Sequence, residues 1–501
     1  MTGPATRLLA AGRRSGVRHV LTVEDWALLP AALEAQPEMA LLGLWAEPGM
    51  VHAAFWDEAE AALRLASSPA REGRYAALSP ARPGAALFER AVRDLWGLEA
   101  TGAVDSRPWL DHGRWLFDAP LSEHPVRRSA PPPQMTFLPA EGEGIHQIAV
   151  GPVHAGVIEP GHFRFHVQGE IVVRLEARLG YAHKGTLGLM LGKSPRAAAR
   201  FAARLSGDST VAHGWAFAMA AEAAAEAEVP PRALLLRALM AELERTANHL
   251  NDWGFICNDA AFAYPHARCG WLREGILRAC EAAFGHRLMM DRVVPGGVAA
   301  ELTAEGAAAI LAAAEAAARD VPKLLAIYEE HASLQDRMVG TGVVRPERAA
   351  LYAAGGPVGR ASGRAFDART ARPHAPYHRL GLAARPVLGA GDVDARVRVR
   401  VAELRESLAL VPQIVALLEP GEIAVPLPAR AGEGVGMVEA FRGEALHWLA
   451  LDEAGLIRAV FPRDASWLHW PLLEAAIEGN IVADFPLCNK SFNASYSGVD
   501  L

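Results

Sequence analysis

Cysteine is scarce. Only Cys257, Cys269, Cys280 and Cys488 occur in 501 residues, and no two stand in the C-x-x-C spacing of zinc and most iron–sulfur sites. The chain is therefore expected to hold no cluster of its own. Cys269 and Cys280 fall in a helical run, where small thiols act as buried apolar groups, and such sparse usage fits a reducing cytoplasm. Long apolar runs are also missing: no stretch approaches the roughly 18 residues of a membrane span, so any membrane link is expected to run through a partner. Arg13-Arg14 has the look of a twin-arginine signal, but the charges in "SGVRHVLTVEDWALL" leave no apolar region behind it, which excludes export. A basic excess is absent, with 50 Lys and Arg against 57 Asp and Glu and a formal charge of -7, so nucleic acid is not an expected partner. There is no Walker A loop, nucleophile elbow or H-E-x-x-H, and "GGPVGRASG" lacks the strand–turn–helix setting of a dinucleotide site.

What is present describes a soluble globular chain of two or three domains, 51% hydrophobic and 21% charged. The pattern predicts an α+β fold. Residues 1–117 form a small α+β domain with strand-like runs at His19–Val23, Ala40–Trp45 and Val51–Trp56 and helical runs at Asp57–Leu65 and Gly84–Trp96. A proline-rich linker, 118–140, contains "HPVRRSAPPPQM". Residues 141–501 make a large, mainly helical domain with a strand-rich edge. Strands are expected over Ile145–Leu179, and helices over Ser194–Leu205, Ser209–Glu228, Pro231–Leu250, Arg268–Met290, Thr303–Arg319, Asp320–Leu334 and Asp394–Leu418. Gly254 reads as punctuation past a helix end. Residues 339–390, rich in Gly, Pro and Arg, read as irregular, and strands and a short helix around Leu472–Glu478 close the chain.

The stretch "RLSGDSTVAH", Arg204 to His213, has the rhythm Arg-x-Cys-Gly-x-Cys-x-x-x-His of a metal site with serine at each thiol. A serine hydroxyl stays protonated at neutral pH and is a poor ligand where a soft thiolate is required. Read alone, Ser206, Asp208 or Ser209 is a helix cap. "NASYSG" repeats the pattern near the C-terminus, where a second thiolate pair would need cysteines at Ser495 and Gly498. His154 and His162, in "GPVHAGVIEPGHFRFHVQGE", and His183, in "HKGTLG", sit in or beside turns. By spacing they are first surface histidines bonded to nearby backbone, and second proton carriers.

Taken in order, "GPVHAGVIEPGHFRFHVQGE", "RLGYAHKG", "ELERTANHLNDWG", "GHRLMMDRVVPGGV", "GTGVV", "GPVGRASG", "FRGEALHWL" and "WPLLEAAIEGNIVADFPLCNKSF" resemble the large subunit of group-four, membrane-associated [NiFe]-hydrogenases of the formate-hydrogenlyase type. That family is homologous to the quinone-site subunit of respiratory complex I. "FERAVRDLWGLEATG", Phe88 to Gly102, is similar to the signature of complex I's smaller peripheral-arm subunit, a fusion typical of the formate-hydrogenlyase type. The resemblance implies a chain docked on a small iron–sulfur subunit and on membrane-arm subunits, peripheral on the cytoplasmic face of the inner membrane, with the iron–sulfur clusters in its partners. It also implies that the four thiolate positions of the nickel–iron centre are Ser206, Ser209, Ser495 and Gly498, so no metal and no hydrogen chemistry are expected. The quinone tyrosine of complex I falls near Gly207, the quinone histidine at His162 or, less well, His154, and an acidic position at Leu187. The family's cleaved C-terminal extension is not expected beyond Leu501.

Two functions follow from the resemblance. In the first, the chain is a hydrogenase-like subunit without a nickel–iron centre, whose emptied cavity holds quinone or another electron acceptor and is lined by His154, His162, His183 and His213, with Asp208 as proton carrier. In the second, it is a non-catalytic subunit that couples an iron–sulfur module to an ion-translocating arm.

Overall fold

The computed structural model describes residues 3–130, 135–153, 158–382 and 387–501. Helices mix with several small sheets, as the α+β expectation holds. The first sheet has five strands, ordered Arg13–Ser15, Arg18–Val20, Ala62–Pro69, Met50–Asp57 and Met39–Glu47. Met39–Glu47 is buried along its whole length, as an unbroken apolar run requires.

The helix expected over Asp57–Leu65 is instead a tight reversal followed by the strand Ala62–Pro69. Asp57 accepts hydrogen bonds from Thr6 Oγ1 (2.7 Å), Glu60 N (3.3 Å) and Arg64 Nε (3.0 Å), which closes the reversal. Leu63 and Leu65 then face Trp56 and Ala54 on the neighbouring strand. Cross-strand packing outweighs the helix propensity of the local Glu-Ala run. Helix Ala85–Trp96 stacks Phe88 on Trp467 (4.6 Å), and Trp45 stacks on Phe461 (5.1 Å). The N-terminal sheet thus shares a hydrophobic core with the far end of the chain.

Past the segment that carries the proline-rich stretch, Ile145–Val150, His162–Gln168 and Ile171–Arg178 form an antiparallel sheet. A long helix, Pro231–Asp259, runs through Gly254 rather than ending before it. A Cβ at Gly254 would lie 3.0 Å from Cys269 Cβ and 3.1 Å from His266 Cα, so the glycine lets helix Ala263–Phe284 pack close. The alanine-rich stretch read as two helices is one, Ala304–Glu330, because Ile310, Ala314, Ala317, Val321, Leu324 and Tyr328 keep one buried stripe across Pro322. Residues 339–390 carry only short helices in their described part, and Val393–Ala416 is the next long one. Among the described residues no helix is long and apolar enough to cross a membrane.

The last sheet, Gly432–Ala440, Gly443–Leu451 and Ile457–Arg463, is antiparallel. Helix Thr210–Ala225 lies directly on its first strand. Cβ atoms at Gly432, Gly434 and Gly436 would come within 2.0 Å of the carbonyls of Ala224, Ala220 and Ala216. Glycine at every second strand position and alanine at every fourth helix position therefore set the distance between the two elements. This contact brings the start of the helix to the hairpin tip at 440–443.

The glycine-rich "GGPVG" supports that tip. A Cβ at Gly355 would meet Glu444 Oε2 at 1.9 Å, and one at Gly356, whose φ is +58°, would meet Arg442 O at 2.1 Å. Gly356→Ala is expected to cost about 2 kcal/mol or more through this clash and the left-handed backbone. Equilibrium denaturation checks it, and an effect inside about 0.5 kcal/mol would contradict the packing.

Candidate functional site

Two serine-bearing segments meet although 289 residues of chain separate them. Ser206 ends the stretch after helix Pro195–Ala202, and a single 3₁₀ turn, Gly207–Ser209, leads into helix Thr210–Ala225. On the other side, helix Phe485–Phe492 stops at Asn493 in the left-handed region, which turns the chain so that Ser495 faces back. Ser206 Oγ lies 3.0 Å from Ser495 Oγ and donates to Asp208 Oδ1 at 2.8 Å. Ser495 Oγ accepts from Gly498 N (3.0 Å), and Ser495 O accepts from Trp470 Nε1 (3.0 Å).

Arg442, on the hairpin tip, enters this cluster. Its Nη1 lies 2.9 Å from Ser209 Oγ, 3.0 Å from Asp208 Oδ1 and 3.4 Å from Ser206 Oγ, while Nε donates to Asn493 O at 2.5 Å. Nη2 adds a second bond to Asp208. The guanidinium is 3% exposed, whereas the Asp208 side chain keeps 41% exposure, so water screens part of this bidentate contact. The hairpin is anchored on both sides of the tip. Glu439 accepts from Arg360 Nη2 (3.0 Å) and Ala368 N (2.9 Å), and Glu444 pairs with Arg463 (2.8 Å).

Asp464 lies behind Gly498. A Cβ built on Gly498 would stand 2.9 Å from Asp464 Cγ and 3.0 Å from Asp464 Cβ. His213 Nε2 is 2.9 Å from Asp464 Oδ2, and its Nδ1 is 3.0 Å from His447 Nε2. Burial alone would raise the Asp464 carboxyl, but the hydrogen bond from His213 and the Arg442 charge hold it well below the usual carboxylate range. Asp208 likewise stays ionised: burial works against it, and the Arg442 guanidinium holds it low.

The helix cap is not where it was expected. Ser209 occupies the N-cap position of Thr210–Ala225, but its side chain makes no cap bond and serves Arg442 instead. The free N–H groups of Val211 and Ala212 are taken by Glu244 from helix Pro231–Asp259, at 2.7 and 3.0 Å. With no cation bonded to it, Glu244 is pushed up by burial to about 8. It shares a recess of about 10 Å³, the space of one water, with Asp208, Asn248 and Arg273.

The sign of the resulting pH effect is set by Glu244 holding a proton in the fold that it loses near its ordinary value when unfolded. Stability from this group is complete in acid and falls as the pH rises toward 8. Glu244→Gln keeps one acceptor and turns its amide nitrogen toward the other N–H, so the difference in melting temperature between variant and parent is expected to shift in the variant's favour from pH 5 to pH 9. The same difference at both pH values would refute this.

The remaining sites named from sequence divide. His213 joins the cluster through Asp464. His183 Nδ1 is bonded to Asp500 O at 2.6 Å, and the adjacent Lys184 Nζ holds the carbonyls of Arg204 and Leu205 at 2.9 and 3.1 Å, tying that loop to the serine segment. His162 Nδ1 bonds Gly151 O (3.1 Å), with its ring beside Phe137 (5.2 Å), and makes no bond to the serines. His154 lies outside the described residues. Gly207 has no atom within 4 Å of a Cβ built on it, and Leu187 is buried. Arg442, Asp464, His447 and Glu244 were not named from sequence, and neither was Glu159, which accepts from Ser497 N at 3.0 Å. Arg442 and His447 lie inside "FRGEALHWL", Glu244 inside "ELERTANHLNDWG" and Glu159 inside "GPVHAGVIEPGHFRFHVQGE", whereas Asp464 lies outside every stretch that carries the resemblance. Among the described residues no group of three or more His, Cys, Asp or Glu side chains is placed to hold a metal ion.

The two facing motifs are those by which the sequence resembles the large subunits of hydrogenases. Comparison with known proteins makes the assignment specific. Residues 267–430 match the family model described as "Respiratory-chain NADH dehydrogenase, 49 Kd subunit". The carbon monoxide-induced hydrogenase of Rhodospirillum rubrum is 30% identical over 358 residues, 70% of this chain and 98% of that protein. Formate hydrogenlyase subunit 5 of Escherichia coli is 29% identical over 448 residues, 86% of this chain and 78% of that one. An NADH-quinone oxidoreductase subunit of Dehalococcoides mccartyi is 31% identical over 312 residues, 60% and 84% of the two chains. The chain belongs to the family of group-four hydrogenase large subunits and their complex I 49-kDa relatives.

Proposed function

We propose that this chain is a hydrogenase-like subunit without a nickel–iron centre, working as a coupling subunit in a membrane-associated, complex I-related oxidoreductase complex. Relatives named as a formate hydrogenlyase subunit and a membrane-bound hydrogenase subunit support the setting. In it, a small iron–sulfur subunit carries the clusters, and membrane-arm subunits hold the chain to the cytoplasmic face of the inner membrane.

One observation carries the reading: the Arg442 guanidinium is bonded to Asp208 and Ser209 and lies 3.4 Å from Ser206, and Ser206 and Ser209 are two of the positions where the resemblance would put thiolates. The donor set does not suit nickel. Three positions offer neutral hydroxyls, the fourth has no side chain, and Asp464 fills the space beside it. A fixed cation already balances the carboxylate there. This arrangement favours transmission of conformational change over substrate chemistry, and no reaction step is assigned to nickel.

The test is nickel content and hydrogen-dependent dye reduction of the complex purified from its native membranes. Neither stoichiometric nickel nor dye reduction is expected, and either one would overturn the proposal. A second reading, that quinone or another small acceptor binds, draws support from His162, half-buried next to Phe137. Replacing His162 and His183 together separates the two. Unchanged electron transfer in an assembled complex favours coupling, whereas selective loss of electron transfer favours an acceptor site.

A further inference from the structure

Tryptophan burial singles out one surface. Ten of the twelve tryptophans are buried and Trp115 is partly so, whereas Trp271 is 60% exposed. It lies on helix Ala263–Phe284, whose other face packs Cys269, Leu272, Ile276 and Cys280 into the core. Tyr264, Arg268, Trp271, Gly275 and Arg278 follow one another at steps of four, three, four and three residues, so they form one stripe along the helix. Tyr264 is 49% exposed, and Gly275 has no atom within 4 Å of a built Cβ, so the stripe faces open space.

We propose that this stripe is a docking face for an acidic amphipathic helix of a neighbouring protein subunit. Trp, Tyr and Arg together make up the composition of interface hot spots, and Trp271 already has the Arg268 guanidinium 4.9 Å from its ring centroid. The four–three spacing is that of a helix-to-helix seam. Charge complementarity selects an acidic occupant. Residues 263–292 hold five arginines against Glu274, Glu281 and Asp291 in a chain whose formal charge is -7. On the adjoining helix, Asp320 pairs with Arg268 at 2.5 Å and with Lys323 at 3.4 Å. The arginines are not all spent: Arg278, paired with Glu274, is still 76% exposed on its side chain.

The proposal rests on the chain's working inside a multi-subunit complex. The experiment uses that complex, purified from native membranes, with a photo-crosslinking phenylalanine in place of Trp271 and mass-spectrometric mapping of the joined residue. The expected result is a cross-link to an acidic helix of another subunit, reduced about tenfold by Arg278→Glu introduced alongside it. An intact complex whose position 271 joins lipid, a non-acidic segment or nothing overturns the docking face and leaves complex membership standing. Elution of the chain alone overturns both. Trp271→Ala, at an exposed position, is expected to melt with the parent, so loss of assembly in that variant reports on the face rather than on folding.

Discussion

Arg442→Met is expected to destabilise the fold by about 3–5 kcal/mol, among the largest effects of any single substitution in this chain. The arginine is buried, and its removal takes away the charge that steadies Asp464, 3% exposed, together with the donors to the Asn493 carbonyl and the Ser209 hydroxyl. Asp208 contributes less to the loss, because its side chain is 41% exposed and regains water. Adding Asp208→Asn to Arg442→Met should therefore recover only part of the stability. Arg442→Lys keeps the charge but not the planar fork that spans Asp208, Ser209 and Asn493, and should fall between parent and Met. Urea denaturation of the purified chain decides the matter. A loss under about 1 kcal/mol for Arg442→Met would mean that the ion pair is a surface contact after all.

Restoring the four cysteines should fail to restore a metal site. The Cβ of a cysteine at position 498 would stand 2.9 Å from Asp464 Cγ, and the Arg442 guanidinium already lies against Ser206 and Ser209. Gly498→Cys alone is expected to cost about 1–3 kcal/mol by overpacking, and Asp464→Ser should relieve much of that cost. The quadruple variant Ser206→Cys, Ser209→Cys, Ser495→Cys and Gly498→Cys is expected to take up less than stoichiometric nickel even when maturation proteins are supplied. Adding Asp464→Ser to it should raise the occupancy. Full nickel loading of the quadruple variant with Asp464 intact would show that the centre lost only its ligands and not its space.

These two experiments probe features of unequal visibility in the sequence. Ser206 and Ser495 could be singled out because each sits in a spaced motif that the resemblance pairs, and the structure brings the two together. Arg442 and Asp464 could not be. Each lies in a stretch that reads as an ordinary strand or its end, and nothing local says that the side chain leaves its sheet to enter a cluster. The cap on helix Thr210–Ala225 was misplaced for a related reason. Ser209 stands at the proper position, but its hydroxyl is taken by Arg442, and Glu244 from another helix accepts the free N–H groups. The reversal at Asp57 was missed because its closing partners, Thr6 and Arg64, belong to different elements.

The sequence by itself determined that no cysteine stands at positions 206, 209, 495 or 498, which family the chain resembles, and where most helices run. Those properties depend on residue type and on spacing within a turn or two of chain. Only the tertiary structure decided what those four positions meet. Ser206 and Ser495 are 289 residues apart, and Arg442 reaches Asp208 across 234. Such contacts form because glycines bring helix Thr210–Ala225 onto the last sheet and because a buried cation must find an anion once water is excluded.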